Sequence, residues 1–398
     1  MNPLARGFPV GPLAATLAVQ TLATTAAYSI PAVAPVVARD LGVNPALIGL
    51  YISTVYGVGI LSALFSPRFI QSHGAVRASQ AVLAATLAML ATAAAGSLAA
   101  VALSAVLMGV AYGATAPAST HLLVPRTPRA HLNLVLSLRQ IGVPLAGMLA
   151  GLVMPPLTLH WGWQPALIAQ MVPVLVLGVA LEVVRRSWDS PHGAGSHPPT
   201  GLFAPLRLLV DRPELRRLSF ASFVYSGLQL CFIVFMTTQL TTVAGMDLVQ
   251  AGRVLAAYQV AGIVARPVWG WLADHVLAAR WLLALQGAIM CAAALLAARF
   301  GPEWNGWLVI LVCTCAGATA SGFTGIAYGE YARLGGERRT EATGLGAASM
   351  FGGVLVLPAL MSLAVTASGS YLLPYSVIGA LALVAGASLA LQPARPAR

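Results

Sequence analysis

The sequence contains no lysine and few charged residues of any kind. Only 8% of its 398 residues are charged, and the 11 acidic residues are half as many as the 22 arginines. Without lysine the chain cannot form the glycine-rich phosphate loop that ends in Lys-Ser or Lys-Thr, so ATP is not expected to drive its activity. Soluble globular domains carry about 25% charged residues. The low charge, together with 58% hydrophobic residues and a mean hydropathy of +0.82, therefore indicates a membrane protein.

Cysteine is scarce as well. The four cysteines lie inside apolar runs at Cys231, Cys291, Cys313 and Cys315. Their spacing and surroundings do not fit a zinc site, and no nucleophile and base stand together in the sequence. We therefore expect no metal, no cofactor and no enzymatic activity. The arginines are scattered over many short loops rather than gathered on one segment, so no nucleic-acid partner is expected.

Long apolar runs recur along the whole chain. A helix needs about 20 residues to cross a hydrocarbon layer about 30 Å thick. Twelve runs meet this length, at 11–37, 45–67, 76–95, 99–122, 132–157, 164–184, 218–242, 250–273, 281–298, 306–328, 343–364 and 372–391. They are continuous rather than alternating, which favours helices over barrel strands. The sequence predicts an all-α membrane protein with twelve transmembrane helices, the first retained in the mature chain, and no attached soluble domain.

The arginines also predict how the helices are oriented. With the N-terminus inside, seventeen arginines fall on the cytoplasmic side and only Arg39, Arg253 and Arg299 on the other. By the positive-inside rule both termini are expected in the cytoplasm. The lysine-free, alanine-rich composition favours a bacterial inner membrane, and we expect a multi-pass monomer.

A polar interval divides the predicted helices six and six. We expect an N-terminal bundle over 1–184, a cytoplasmic linker over 185–217 and a C-terminal bundle over 218–398. The later part of the linker, from about 205 to 217, forms either a short interfacial helix or a flexible tether. Two six-helix bundles joined in this way are typical of transporters that carry a substrate between them.

Two arginines are predicted to lie deep inside helices. Arg266 precedes Asp274, at the cytoplasmic end of its run, by eight residues, which is about 12 Å of helix. Arg139 lies at a similar depth in the fifth run. A guanidinium keeps its proton, and an unpaired arginine in lipid costs on the order of 3 kcal/mol. The acidic residues are expected at helix ends or, like Glu214 and Glu341, in loops, so no carboxylate is predicted to reach either arginine.

The missing negative charge is therefore predicted to belong to a ligand. A guanidinium binds a carboxylate through two parallel hydrogen bonds, which a low local dielectric strengthens. Arg266 and Arg139, one from each half, could hold a small organic anion between the bundles. The alternative is that each arginine bonds to carbonyls of a neighbouring helix or faces a wet cavity, and serves only to hold its bundle together.

Further polar side chains recur at helical spacing. They are Gln20, Thr24 and Tyr28 in the first run, Tyr225 and Gln229 in the seventh, and Tyr258 and Gln259, one to two turns before Arg266. They are expected to line the substrate path, or else to make ordinary interhelical hydrogen bonds of about 0.6 kcal/mol each. His121 and Glu330 are the candidates for proton coupling. The alternatives are that His121 meets lipid headgroups and that Glu330 pairs with loop arginines.

One loop resembles a family motif. Gly270, Asp274 and Arg280 are similar to the Gly-x-x-x-Asp-Arg loop of the major facilitator superfamily, with a histidine after the aspartate where arginine is usual. The first-half copy has Ala63 in place of the glycine and Pro67 in place of the aspartate. The segment IGVPLAG in the fifth run resembles the glycine-proline motif of exporters in that family. The resemblance implies two six-helix bundles and a gating role for the loop.

The eighth run carries a second resemblance. GIVARPVWG, with Arg266 before a proline, resembles the Ala-Arg-Pro segment of monocarboxylate transporters, and oxalate:formate exchangers also bind substrate through an arginine of that helix. Gly262 stands where monocarboxylate transporters have an aspartate. Arg139, within SLRQIGVP, resembles a pattern of bacterial cyanate- and nitroimidazole-type carriers.

These features together predict a transporter that carries a small organic anion, most simply a carboxylate, by alternating access. Exchange with a counter-anion, facilitated diffusion and symport with protons are all open. The alternative is a proton-coupled drug exporter, although cationic-drug exporters usually carry an acid within the membrane. A membrane sensor or enzyme is disfavoured by the short loops.

Overall fold

A computed structural model describes residues 8–43, 48–189 and 204–391. Every regular element in these ranges is helical. The α-helices are α1 (Val10–Ala32), α2 (Ala34–Asp40), α3 (Ile48–His73), α4 (Ala75–Ala94), α5 (Leu98–Leu123), α6 (Leu132–Gln140), α7 (Gly142–Trp161), α8 (Trp163–Trp188), α9 (Ala204–Asp211), α10 (Pro213–Thr242), α11 (Leu248–His275), α12 (Ala279–Ala297), α13 (Gly306–Ala320), α14 (Phe323–Gly335), α15 (Arg339–Ser368) and α16 (Leu372–Ala390).

Ten helical segments of the described chain are long and apolar enough to cross a membrane. Two differences account for the change from the twelve apolar runs of the sequence to these ten segments. Helix α11 is 28 residues long but is not among the ten. Helices α13 to α15 follow one another with only short interruptions over Gly306–Ser368, which counts as one segment but covers two of the predicted runs.

The first and fifth predicted runs are each interrupted at one residue. The first breaks at Val33, because Pro35 has no N–H to donate to the carbonyl four residues before it. The fifth breaks at Ile141, where Pro144 has the same effect. Both runs are nevertheless among the ten segments, as Val10–Ala32 and Arg129–Trp161, the second of which extends across its break. The second break leaves Arg139 in the last turn of α6 rather than inside a long helix.

The tenth predicted run is also interrupted, at Ser321 and Gly322, and helical structure then continues to Gly335. No proline marks this break. Its position matters because it lies beside Arg266.

Several acidic residues predicted in loops lie in helices, including Asp211 at the end of α9. Glu214 is in the first turn of α10 and Glu341 in the first turn of α15. Carboxylates are favourable there because the N-terminus of a helix carries a partial positive charge. Glu341 is 1% exposed, and its Oε2 lies 2.6 Å from Nη2 of Arg338. A buried carboxylate therefore exists, and an arginine three residues away binds it.

The described residues form two compact units. The first contains residues from 1–128, 139–207 and 335–348, and the second residues from 129–138, 208–334 and 349–398. In the first unit α5 packs on α3 and α4, α4 on α8, and α1 on α7. In the second unit α12 packs on α16 and α11 on α13. Arg139 thus belongs to the first unit and Arg266 to the second.

The predicted linker is described only in part, because 190–203 lies outside the described residues. Its later part is helical: α9 spans Ala204–Asp211, and α10 begins at Pro213. Within α9, Val210 is exposed and Leu208 is buried. Of the two alternatives for this segment the structure has the helix, and its position at the membrane interface stays a prediction.

Candidate functional site: two buried arginine clusters

The first arginine cluster lies in the first unit, where α1 meets the junction of α6 and α7. Arg139 is 2% exposed. Its Nη2 donates to Oε1 of Gln20 at 2.5 Å, and its Nη1 donates to Oε1 of Gln140 at 2.5 Å. Nε2 of Gln20 in turn donates to Oγ1 of Thr24 at 2.7 Å. Gln20 therefore connects the predicted residue Thr24 to the guanidinium.

Close packing of α7 on α1 supports this cluster. A Cβ atom at Gly142 would lie 3.0 Å from Oγ1 of Thr21 and 3.1 Å from Cγ of Gln20. Farther along α1, a Cβ at Gly147 would lie 3.7 Å from the ring of Tyr28, which is half-buried. Gln20 and Tyr28 therefore both face α7, as their spacing predicts.

The second arginine cluster lies in the second unit and is centred on Ser321. Arg266 is 2% exposed, and its Nε donates to the Ser321 carbonyl at 2.9 Å. Nε2 of Gln229 donates to Oγ of Ser321 at 3.0 Å. The hydroxyl of Tyr258 donates to the Gln229 carbonyl at 3.4 Å. Three helices, α10, α11 and α13, thus contribute polar groups around one residue.

Two side chains of α11 bind the C-terminal end of α13. The last carbonyls of a helix have no donor within the helix. Arg266 donates to the carbonyl of Ser321, the C-cap residue of α13, and Nε1 of Trp269 donates to the Ala318 carbonyl at 2.8 Å. This is the hydrogen bond that the alternative interpretation of Arg266 predicts. This hydrogen bond offsets only part of the positive charge of Arg266, since a helix C-terminus carries about half a negative elementary charge.

Two other predicted residues have different surroundings. Tyr225 is fully buried, and its hydroxyl donates to the Leu283 carbonyl on α12 at 2.9 Å. Its ring lies edge-on to that of Phe323, with 5.4 Å between centroids. Gln259 is half-buried beside Tyr258 on α11. The structure therefore brings Gln229 and Tyr258 to the Ser321 cluster, whereas the Tyr225 hydroxyl is used in packing α10 on α12.

The structure explains why glycine occupies position 262. A Cβ atom at Gly262 would lie 2.5 Å from Cβ of Ser321 and 3.3 Å from the carbonyl oxygen of Gly317. An aspartate there would displace α13. The close approach that excludes this acid also brings Arg266, one turn farther on, to the end of α13.

The predicted gating residue Asp274 caps α6. Its Oδ1 accepts hydrogen bonds from the backbone N–H and Nδ2 of Asn133 at 3.1 and 2.9 Å, and its Oδ2 accepts one from the N–H of Leu134 at 2.9 Å. A Cβ at Gly270 would lie 2.7 Å from the Asn133 carbonyl oxygen. The guanidinium of Arg280 lies over the indole of the next residue, 5.4 Å from the ring centroid. Asn133 was missed because it is 141 residues away and belongs to no motif.

We predict that Asp274→Asn lowers the free energy of unfolding by about 1–3 kcal/mol. The amide has no negative charge for the helix N-terminus, and its NH₂ group cannot accept from an N–H. Thermal unfolding of the purified protein in detergent measures the change. Asp211→Asn, the same substitution at the exposed end of α9, is the control and should leave the unfolding temperature unchanged. Equal shifts in both variants would contradict the capping role.

The two proton-coupling candidates also have defined surroundings. His121 is half-buried in the first unit, with its Nδ1 2.7 Å from Oγ1 of Thr340. Glu330 is 8% exposed, and its Oε2 accepts hydrogen bonds from Nε and Nη2 of Arg333 at 2.9 and 2.7 Å. The arginine that pairs with Glu330 belongs to the same helix, α14, rather than to a loop.

Comparisons with known proteins support the fold. Residues 16–334 match the sequence profile of the Major Facilitator Superfamily. A solved structure of the fucose:proton symporter FucP from E. coli superposes with a TM-score of 0.73 at 13% identity, covering 96% of this chain and 99% of that one. The human organic anion transporter MFSD10 superposes with a TM-score of 0.75 at 17% identity, covering 96% and 100%.

One curated relative is similar in part of its sequence. The probable nitrate/nitrite transporter NarK2 of Mycobacterium tuberculosis is 28% identical over 145 residues, which are 36% of this chain and 35% of the relative. The match therefore spans about a third of that protein's length. The profile match covers most of the chain, and the solved structures share its fold along almost their whole length. The chain belongs to the Major Facilitator Superfamily of transporters.

Proposed function

We propose that this transporter carries a small organic anion, most simply a carboxylate, by alternating access, and that Arg266 and Arg139 bind its negative charge. The observation that carries the proposal is the burial of two permanent positive charges, one in each compact unit, each with a neutral oxygen among its hydrogen-bond acceptors. The acceptors described for them are two amide oxygens and one backbone carbonyl.

A neutral acceptor satisfies a donor without removing the charge. Burial of a charged group is costly unless an opposite charge lies nearby, and arginine cannot escape the cost by losing its proton. A carboxylate that binds beside either guanidinium adds an opposite charge where the local dielectric is low, and this attraction favours its binding. The partial match to a protein named as a nitrate/nitrite transporter supports an anionic substrate.

The proposal also includes the membrane topology, the location and the gating of the transporter. We propose twelve membrane spans with both termini in the cytoplasm, in the inner membrane of a bacterium, from the positions of the apolar runs and arginines in the sequence. Asp274 acts as a latch that holds the first turn of α6 in one state of the cycle. Its three hydrogen bonds to that turn support this role.

An anion screen tests the proposal. We expect formate, oxalate or nitrate to raise the unfolding temperature of the purified protein, while the cation tetraphenylphosphonium does not. A ligand at a hundred times its Kd stabilises the folded state by about 2.7 kcal/mol. Uptake of the stabilising anion into liposomes, with and without an inward proton gradient, then distinguishes proton symport from exchange. Stabilisation by the cation alone would contradict the proposal and favour a drug exporter.

A further inference from the structure

The interruption between α13 and α14 places two helix ends beside Arg266. Helix α13 ends at Ala320, Ser321 and Gly322 form a turn, and α14 begins at Phe323. A helix C-terminus presents carbonyl oxygens, and a helix N-terminus presents N–H groups and a partial positive charge. The break therefore places both carbonyl oxygens and N–H groups of helix ends next to Ser321, the residue that Arg266 contacts.

The carbonyl side of this break already has donors. Nε1 of Trp269 binds the Ala318 carbonyl, the N–H of Gly322 donates to the Thr319 carbonyl at 3.0 Å, and Arg266 binds the Ser321 carbonyl. Three carbonyls at the end of α13 are thus engaged by groups of the protein. A ligand oxygen, which is an acceptor, would instead bind N–H groups at the N-terminal end of α14.

Thr324, the second residue of α14, provides independent evidence for such an acceptor. It is 8% exposed, and its hydroxyl has no hydrogen-bond partner among the described residues. Side chains of a helix tilt toward its N-terminus, so this hydroxyl projects to the same end as the first amides of α14. A buried hydroxyl without a partner loses the hydrogen bonds it had in water, and a bound ligand oxygen restores one.

We infer that the N-terminus of α14 is part of the anion site. The hydroxyl of Thr324 and the first amides of α14 bind oxygens of the anion whose charge Arg266 compensates. This inference rests on the proposed function. A helix N-terminus favours a bound anion through its N–H groups and its dipole. Thr324 is accordingly a binding residue that donates a hydrogen bond to one oxygen of the anion.

Thr324→Val tests the inference because it keeps the branched shape and removes the hydroxyl. We expect the Kd for formate or nitrate, measured by isothermal titration in detergent, to rise about tenfold, the loss of one hydrogen bond to a charged group. Thr324→Ser keeps the hydroxyl and should bind within about threefold of the parent. The matched control is Thr319→Val in α13, where the hydroxyl already donates to the Cys315 carbonyl at 2.8 Å and binding should not change.

Each outcome has a distinct meaning. If Thr324→Val unfolds at the parent temperature and binds with the parent Kd, while Arg266→Gln has lost binding, the inference is wrong and the proposed function stands. If Thr324→Val and Thr319→Val weaken binding equally, the effect is one of packing and the inference is also wrong. If the parent binds neither formate, oxalate nor nitrate, the proposed function fails and the inference fails with it. Should Thr324→Val fold poorly, the serine variant compared with Thr324→Ala provides the same test of the hydroxyl.

Discussion

Arg266→Gln is expected to abolish anion-dependent stabilisation and to reduce anion uptake into liposomes by about a hundredfold or more. Glutamine is polar and fits a similar volume, but it carries no charge. A hundredfold loss corresponds to about 2.7 kcal/mol, which lies within the range of hydrogen bonds to charged groups. Arg266→Lys should recover only part of the function, because an ammonium lacks the planar fork that binds two oxygens at once.

The same substitution removes the hydrogen bond from Arg266 to the end of α13, so a control for that loss is needed. Trp269→Phe provides it. The variant removes the neighbouring donor to the Ala318 carbonyl and leaves the guanidinium in place. We expect Trp269→Phe to lower the unfolding temperature but to keep the response to anions. If both variants lose uptake to the same extent, Arg266 acts as a structural cap and the proposed binding role is wrong.

Gly317→Ala is expected to destabilise the second unit by about 3 kcal/mol or more. A Cβ atom at this position would lie 2.1 Å from the carbonyl oxygen of Tyr258 and 2.7 Å from its carbonyl carbon. Both atoms belong to the backbone of α11, so no side chain can rotate away and the two helices must separate. Overpacking of a core typically costs about 1–3 kcal/mol, and the rigid backbone on both sides places this substitution at the upper end of that range or above it. The Ser321 cluster, which depends on the same contact, should then no longer bind anions.

A second glycine of α13 is the control for this experiment. Gly306 lies in the first turn of α13, and a Cβ atom there would have no atom within 4 Å. Gly306→Ala should match the parent in unfolding temperature and in the monodisperse fraction on size-exclusion chromatography. Gly317→Ala should have a lower unfolding temperature and a smaller monodisperse fraction. Parent-like behaviour of Gly317→Ala would mean that α11 and α13 do not approach as closely as described.

The burial of the two arginines agrees with their predicted positions away from the ends of the apolar runs, while their depth in a membrane stays a prediction. The charged end of the eighth run, at Asp274, is visible in the sequence and fixes the position of Arg266 eight residues before it. What surrounds the arginines could not be predicted in the same way. Gln20 lies 119 residues from Arg139, and Ser321 lies 55 residues from Arg266. No local pattern encodes such pairs, because tertiary packing alone brings them together.

The helix breaks could also be predicted only in part. Pro144 and Pro35 mark two of them, and the missing N–H could have been used to predict both interruptions. The turn at Ser321 and Gly322 follows a run of small and apolar residues that is indistinguishable from the rest of the tenth run. The turn forms where side chains of α11 donate hydrogen bonds to the exposed carbonyls of α13. The residues that favour it therefore belong to another helix and are not apparent in the local sequence.

On the proposed function, the contact between Arg266 and the Ser321 carbonyl would couple the bound anion to the backbone of α13. A shift of the guanidinium toward the anion would either pull on that carbonyl or stretch its hydrogen bond. Occupancy of the site would then be felt at the junction between two half-helices, through a single side chain.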